Sequence, residues 1–213
     1  MSPEALTADR VYRDLKRQIM SGRFVPGLSI GLAAVAQEVG TSISPVRDAL
    51  HRLVGERLVE PHGGGGFATP EMTSETLQQL YRWHADLIRL AVRTMTRPEM
   101  IGRFPGFETS KGGGDDAIAA LTATFFARVG ASSDNAEHRA AIISAGERLH
   151  TARLQEGRFF GTAAELEALW NVTGEGNKNT IRVAMWHYHR RRLLKAEEIC
   201  VVAAARVDSA NKR

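Results

Sequence analysis

Ser42–Leu53 reads SISPVRDALHRL, and its reading decides the fold. Ser44 suits an N-cap, and Pro45 suits the first helical position, where a missing N–H costs nothing. Val46, Leu50, Leu53 and Val54 then fall on one side at helical spacing. Arg47 and His51, four apart, share another side, with Arg52 nearby. A basic helix with a polar N-terminus suits insertion into the major groove of DNA.

The flanks extend this reading. Leu32–Val39 is a short apolar helix closed by Gly40, and Thr41-Ser42 makes the turn, so two short helices form a helix-turn-helix. Upstream, Ala8–Met20 is an amphipathic helix with Val11, Leu15 and Ile19 inward; Ser21-Gly22 ends it and Pro26-Gly27 turns the chain. Downstream, Leu58–Glu60 and Gly66–Thr69 read as two strands around a glycine-rich tip, Pro61–Gly66, which makes a wing.

These elements, VYRDLKRQIMSGRFVPG (11–27), LAAVAQEVGTS (32–42), SPVRDALHRLVGERLVE (44–60) and the glycine hairpin, resemble the GntR family of bacterial winged-helix transcription regulators. The resemblance implies a DNA-binding domain over residues 1–70, with Ser42, Ser44, Arg47, His51, Arg52, His62, Gly63 and Gly64 as DNA-facing residues. Family members often carry DNA-contacting arginines where this chain has Ala33 and Ile43; only Arg47 matches. A missing arginine that nothing replaces costs roughly 1–3 kcal/mol of DNA affinity, so the operator should differ from the family's common one. The glycine run offers bare backbone N–H groups that can approach phosphates closely.

The chain has 213 residues, enough for two domains, with ordinary charged and hydrophobic fractions of 24% and 43%. Residues 1–70 hold eight Lys/Arg against seven Asp/Glu, so a DNA-binding surface must come from placement of charge and not from excess. A homodimer would double the phosphate contacts. The single cysteine, Cys200, excludes an intrachain disulfide and reads as a buried small hydrophobe. MSPEALTADR lacks the apolar core of a signal peptide, and no run of about 18 apolar residues occurs. A cytoplasmic protein without membrane contact is expected.

Residues 71–213 read as all-helical. Leu77, Leu80, Tyr81, His84, Leu87, Ile88, Ala91 and Met95 keep one helical stripe from Thr73 onward. A glycine-rich loop follows over 103–114, and Asp115-Asp116 opens a helix with Ile118, Leu121, Thr122, Phe125 and Val129 inward. Further helices are expected over 135–155, from Thr162 (a capping box with Glu165), and over 179–207. Lys111–Gly114 lacks phosphate-loop spacing and reads as a flexible loop.

A winged helix before such a domain resembles the FadR branch of the family, which implies a mostly α protein whose C-terminal bundle binds a small effector and dimerises. Many members of that branch bind a divalent metal through an Asp and three His. The aligned positions here fall near Thr122, Phe126, Leu166 and Tyr188, so no metal or other cofactor is expected, although His187 and His189 flank the last position. Effector candidates are His84, Asn135, His138, Tyr188, His189 and Arg192. His84 reads equally as a ligand contact or a hydrogen-bonded core histidine, and His150 as solvated. Arg190–Arg192 reads as a solvated or dimer-surface patch, or as the source of an arginine that grips an anionic effector.

No Ser-His-Asp elbow, HExxH or CxxC occurs, and the acids fall at helix starts or on polar faces, so an enzyme is not expected. The expected function is a dimeric repressor that reads a pseudo-palindromic operator in double-stranded DNA, its affinity set by the effector. The alternative is a DNA-binding regulator or architectural protein whose second domain only dimerises.

Overall fold

The computed structural model describes residues 3–105 and 114–211. Most of the 103–114 loop, Lys111–Gly113 included, lies outside them. The chain divides into two compact units, one over residues 1–72 with the last ten residues, and one over 73–203.

The first unit holds α1 (Pro3–Met20), α2 (Leu32–Val39) and α3 (Ile43–Gly55), then β1 (Glu60–His62) and β2 (Gly66–Ala68). Val11, Leu15 and Ile19 of α1 meet Val35, Ala36, Val46, Leu50 and Leu53 in one core. Burying each such side chain contributes about 1.5–3 kcal/mol. Gly40 closes α2 in the left-handed region (φ 67°), and the Thr41 N–H donates to Ala36 O at 2.9 Å.

Two sequence expectations shift here. Helix α3 begins one residue before Ser44: the N-cap is Ser42, with extended backbone and no side-chain cap bond. Pro45 stays within the first turn, where its missing N–H is harmless. The first wing strand lies at Glu60–His62, not Leu58–Glu60. Arg57 turns the chain through φ 61°, and the N–H groups of Leu58 and Val59 donate back to Leu53 O, so they close α3 instead of starting a ladder. The strands pair antiparallel, Glu60 opposite Ala68 and His62 opposite Gly66. Ile30 N–H donates to Phe67 O at 2.7 Å and so anchors the hairpin. Gly64 and Gly65 carry the tip at φ 72° and 78°, which glycine adopts without strain.

The second unit holds α4 (Ser74–Thr94), α5 (Asp115–Ala131), α6 (Ala136–Arg148), α7 (His150–Glu156), α8 (Thr162–Gly174), α9 (Lys178–Leu194) and the start of α10 (Ala196–Asn211). Thr73 and Thr76 form a reciprocal cap on α4. Helix α4 packs on α9, α6 and α5, and α5 packs on α6 and α7. Gly130 lets α5 approach α6: a Cβ there would sit 3.1 Å from Ile142 Cδ1. Trp170 is buried against Phe125 at 5.2 Å between centroids and donates Nε1–H to Gly102 O at 3.0 Å.

Three local expectations are corrected. The helix expected over 135–155 breaks at Leu149 into α6 and α7, and the one expected over 179–207 breaks at Lys195 into α9 and α10. The capping box at Thr162 does not form: the N-cap is Gly161 with no side-chain bond, and Glu165 turns to Arg191 and Arg192 instead. Cys200 is half-buried, not buried.

Candidate functional site

The first candidate surface is built on α3 and the wing. The inward stripe of α3 is taken up by the core, which leaves Ser42, Ile43, Ser44, Arg47, His51 and Arg52 exposed. Arg47 makes no ion pair among the described residues, so its charge is available to a partner. Arg52 is not: it donates to Asp9 Oδ1 at 2.8 Å and stacks its guanidinium 3.8 Å from the Tyr12 ring centroid. His51 packs edge-on against Phe67 at 4.9 Å, which ties α3 to the wing. His62, Gly63 and Gly64 are exposed at the wing tip.

The remaining charges of the unit are largely consumed. Lys16 pairs with Glu56 at 2.8 Å, Arg17 pairs with Asp14, and Arg23 pairs with Glu38. Arg10 donates to Val39 O. The Arg23 contact holds the Glu38 carboxyl below its usual range. Sequence reasoning misses one residue: Arg57, exposed in the turn before the wing and without an ion pair among the described residues. A strand expected to begin beside it hides the turn that exposes it.

The second candidate site is a polar layer inside the helical unit. His84 of α4 and His189 of α9 are fully or nearly fully buried and meet Nδ1 to Nε2 at 2.8 Å. His189 Nδ1 lies 2.7 Å from Met185 O. Because a carbonyl only accepts, His189 Nδ1 carries the hydrogen. Burial keeps both rings neutral, with His189 pushed down to about 3 and His84 lowered well below its usual value. Arg192, also buried, donates through Nε and Nη2 to Glu156 Oε2 at 2.9 and 2.7 Å, and Nη2 reaches Glu165 Oε2 at 2.8 Å. Tyr81 completes Glu156 with a 2.6 Å hydrogen bond. Tyr188 stacks under Arg192 at 3.4 Å, and burial pushes its hydroxyl up to about 12.

The six effector candidates therefore do not share one place. His84, His189, Tyr188 and Arg192 meet in the polar layer. Asn135 is exposed and caps α6 by accepting from His138 N–H at 3.0 Å. His138 donates Nε2–H to Leu87 O at 2.8 Å, which satisfies that nitrogen. These two line a separate surface cleft of about 270 Å³ with Leu90, Thr94 and Asp134. Two expectations fail outright. His150 is buried, not solvated, and Glu156 is a buried acid, whereas the sequence places the acids at helix starts and on polar faces. Their burial follows from the break at Leu149, which turns α7 into the bundle.

The positions implied for a metal do not fit one. Thr122 gives its hydroxyl to Ile118 O at 2.8 Å, Phe126 is a buried ring, and Leu166 has no donor atom. Among the described residues no group of three or more His, Cys, Asp or Glu is placed to hold a metal ion. Nor is any helix among them long and apolar enough to cross a membrane.

Residues 7–68 match the family model described as bacterial regulatory proteins, gntR family. The HTH-type transcriptional regulator YdhC of Bacillus subtilis (strain 168) is 32% identical over 81 residues, 38% of this chain and 36% of that protein. The HTH-type transcriptional regulator McbR of Escherichia coli (strain K12) is 32% identical over 95 residues, 43% of each chain. The chain thus spans well under half the length of the curated relatives it matches. The similarity of fold reaches further. The E. coli McbR/YncC structure aligns over 90% of this chain and 97% of its own at TM-score 0.62 and 17% identity. A structure described as a GntR transcriptional regulator from Rhodococcus sp. RHA1 aligns over 89% and 96% at TM-score 0.67 and 16% identity. Over residues 7–68, this chain is thus similar to the gntR family of bacterial regulatory proteins.

Proposed function

We propose that the protein is a dimeric DNA-binding transcription regulator, a repressor whose operator affinity is set by a small effector in the helical unit. The observation that carries the DNA reading is the exposed N-terminal half of α3, where Ser42, Ser44 and the uncompensated Arg47 stand beside a glycine wing. Arg47 would reach base edges or phosphate, Ser42 and Ser44 would position the helix, and the bare N–H groups of Gly63 and Gly64 would meet the backbone. His51 and His62 flank these contacts. Arg52 serves by orienting α1 against α3 and supplies less charge to DNA than its position suggests.

A second copy is supported by the exposed apolar residues Trp83 and Leu90 of α4 and Val183 and Trp186 of α9, two helices that pack together. Two readers in a dimer would recognise a pseudo-palindrome. The effector reading is supported by the buried polar layer, which costs stability unless it does something. An effector that favours one spacing of the readers would shift operator affinity by its differential binding.

The test is a fluorescence-anisotropy titration on the tightest duplex selected from a random pool. Arg47→Ala should weaken specific binding by about 1–3 kcal/mol. Unchanged specific affinity at physiological salt would overturn the assignment of α3 as the reader.

A further inference from the structure

The surface cleft of about 270 Å³ that Asn135 and His138 line has one chemical character: it accepts hydrogen bonds and has few to give. Its three hydroxyl groups have spent their hydrogens on the protein. Thr94 Oγ1 donates to Leu90 O at 2.9 Å, Ser133 Oγ to Gly130 O at 3.1 Å, and Thr96 Oγ1 to Asp134 Oδ2 at 3.1 Å. A hydroxyl has one hydrogen, so these oxygens have only lone pairs left. Asp134 adds a carboxylate. Arg97 holds it at 2.5 Å, yet the side chain stays 68% exposed and has accepting capacity to spare.

His138 carries the argument. It is 7% exposed, and its Nε2–H donates to Leu87 O at 2.8 Å. In the neutral ring Nδ1 is therefore a bare lone pair. Nδ1 has no hydrogen-bond partner among the described residues, and it is not one of their fully enclosed unpaired atoms. It opens to the cleft that its side chain lines. A lone pair on a ring so deeply buried is poorly served by water and calls for a donor.

The helix ends agree in sign. Helices α4 and α5 finish beside this cleft, at Thr94 and Ala131, and helix C-termini carry partial negative charge. Lys178 Nζ, 3.4 Å from Arg93 O, and the start of α6 oppose them in part. Asn135 Oδ1 already closes the His138 N–H of α6 at 3.0 Å. Of the lining side chains only Asn135, through Nδ2, keeps hydrogens to donate.

We propose that this cleft binds a primary alkylammonium. Its N–H groups donate to His138 Nδ1, to the Asp134 carboxylate and to a hydroxyl oxygen, and its alkyl chain lies on Leu90. An ammonium fits because it has three donors and no acceptor. A carboxylate would meet the reverse of what it needs. The site is separate from the polar layer and does not rest on the effector reading above.

The test is thermal unfolding of the full chain followed by tryptophan fluorescence, in a buffer well above the ordinary titration range of histidine. The probe is n-butylammonium chloride. The controls, at equal ionic strength, are potassium chloride and butyltrimethylammonium chloride, which has the same chain and charge but no N–H. Butylammonium should raise the midpoint, because it binds the folded state. Butyltrimethylammonium should not. His138→Gln keeps an N–H for Leu87 O and loses the lone pair, and Asp134→Asn loses the charge. Each should raise the half-saturating concentration about tenfold. Asp134 is exposed, so its variant serves should His138→Gln fail to fold. In nitrogen-15 spectra of the histidine rings, His138 Nδ1 should move as butylammonium is added, which a change of packing stability alone would not produce. No midpoint shift with butylammonium, an equal shift with butyltrimethylammonium, unchanged half-saturation in Asp134→Asn, or an unmoved His138 Nδ1 would each overturn the proposal.

Discussion

Lowering the pH should destabilise the helical unit before any carboxylate needs to be protonated. His189 is buried neutral with its pKa pushed down to about 3 from an ordinary 6.5, chiefly by burial. In the unfolded chain the ring takes up a proton as pH falls below about 6.5; in the folded unit it does not until about 3. The unfolded state thus binds more protons throughout that window, so stability falls with pH, by up to about 1.4 kcal/mol per unit. Between pH 7 and pH 5, His189 alone should remove about 2 kcal/mol. His84 acts in the same direction, since burial, His189, Arg153 and Arg192 all disfavour its charged form. His150 adds to it, its ring lowered by burial and Arg153 and only partly restored by Asp116. The protein's three tryptophans, Trp83, Trp170 and Trp186, all lie in the helical unit, so urea unfolding followed by tryptophan fluorescence reads that unit alone. Its free energy should drop by at least the His189 share at the lower pH, and His189→Gln should return about 2 kcal/mol of the drop. Equal stability at both pH values, or a full drop in the variant, would refute the account of a neutral buried histidine pair.

Three other outcomes are expected. Glu156→Gln removes the buried carboxylate from Arg192 and Tyr81 and should cost about 3–5 kcal/mol of the same tryptophan-reported transition. Gly64→Ala and Gly65→Ala meet open space, so only the left-handed backbone resists; each should cost roughly 1–2 kcal/mol in the N-terminal unit, read by amide exchange, and leave the tryptophan transition unmoved. Ile43 is 45% exposed in the first turn of α3 and, on the proposed DNA reading, suits the methyl group of thymine. Replacing thymine by uracil at one operator position should weaken the wild type and not Ile43→Ala, as measured by anisotropy.

The helix order and the winged motif are legible in the sequence because they rest on local signals: apolar spacing in Val11, Leu15 and Ile19, the αL glycine at Gly40, and the glycine tip. What is illegible depends on distant partners. Neither Leu149 nor Lys195 is glycine or proline, and Gly146, three residues before the first break, stays inside α6 without ending it, so the sequence reads as one long helix at each. Glu165 sits correctly for a capping box, but two arginines more than twenty residues on outcompete the local bond. Arg153, Glu156 and His150 look like surface residues in sequence. Only the turn at Leu149 takes them inside, and only their partners from α4 and α9 explain the pattern.

The clasp of Arg52 by Asp9 and Tyr12 has an evolutionary consequence. It holds a positive charge in reserve on α3. A single change at Asp9 or Tyr12, on α1 and away from any base, would release that charge toward DNA. If α3 reads DNA as proposed, operator affinity can therefore drift upward among relatives without a change in the residues that read sequence, and relatives with identical α3 helices need not bind equally tightly.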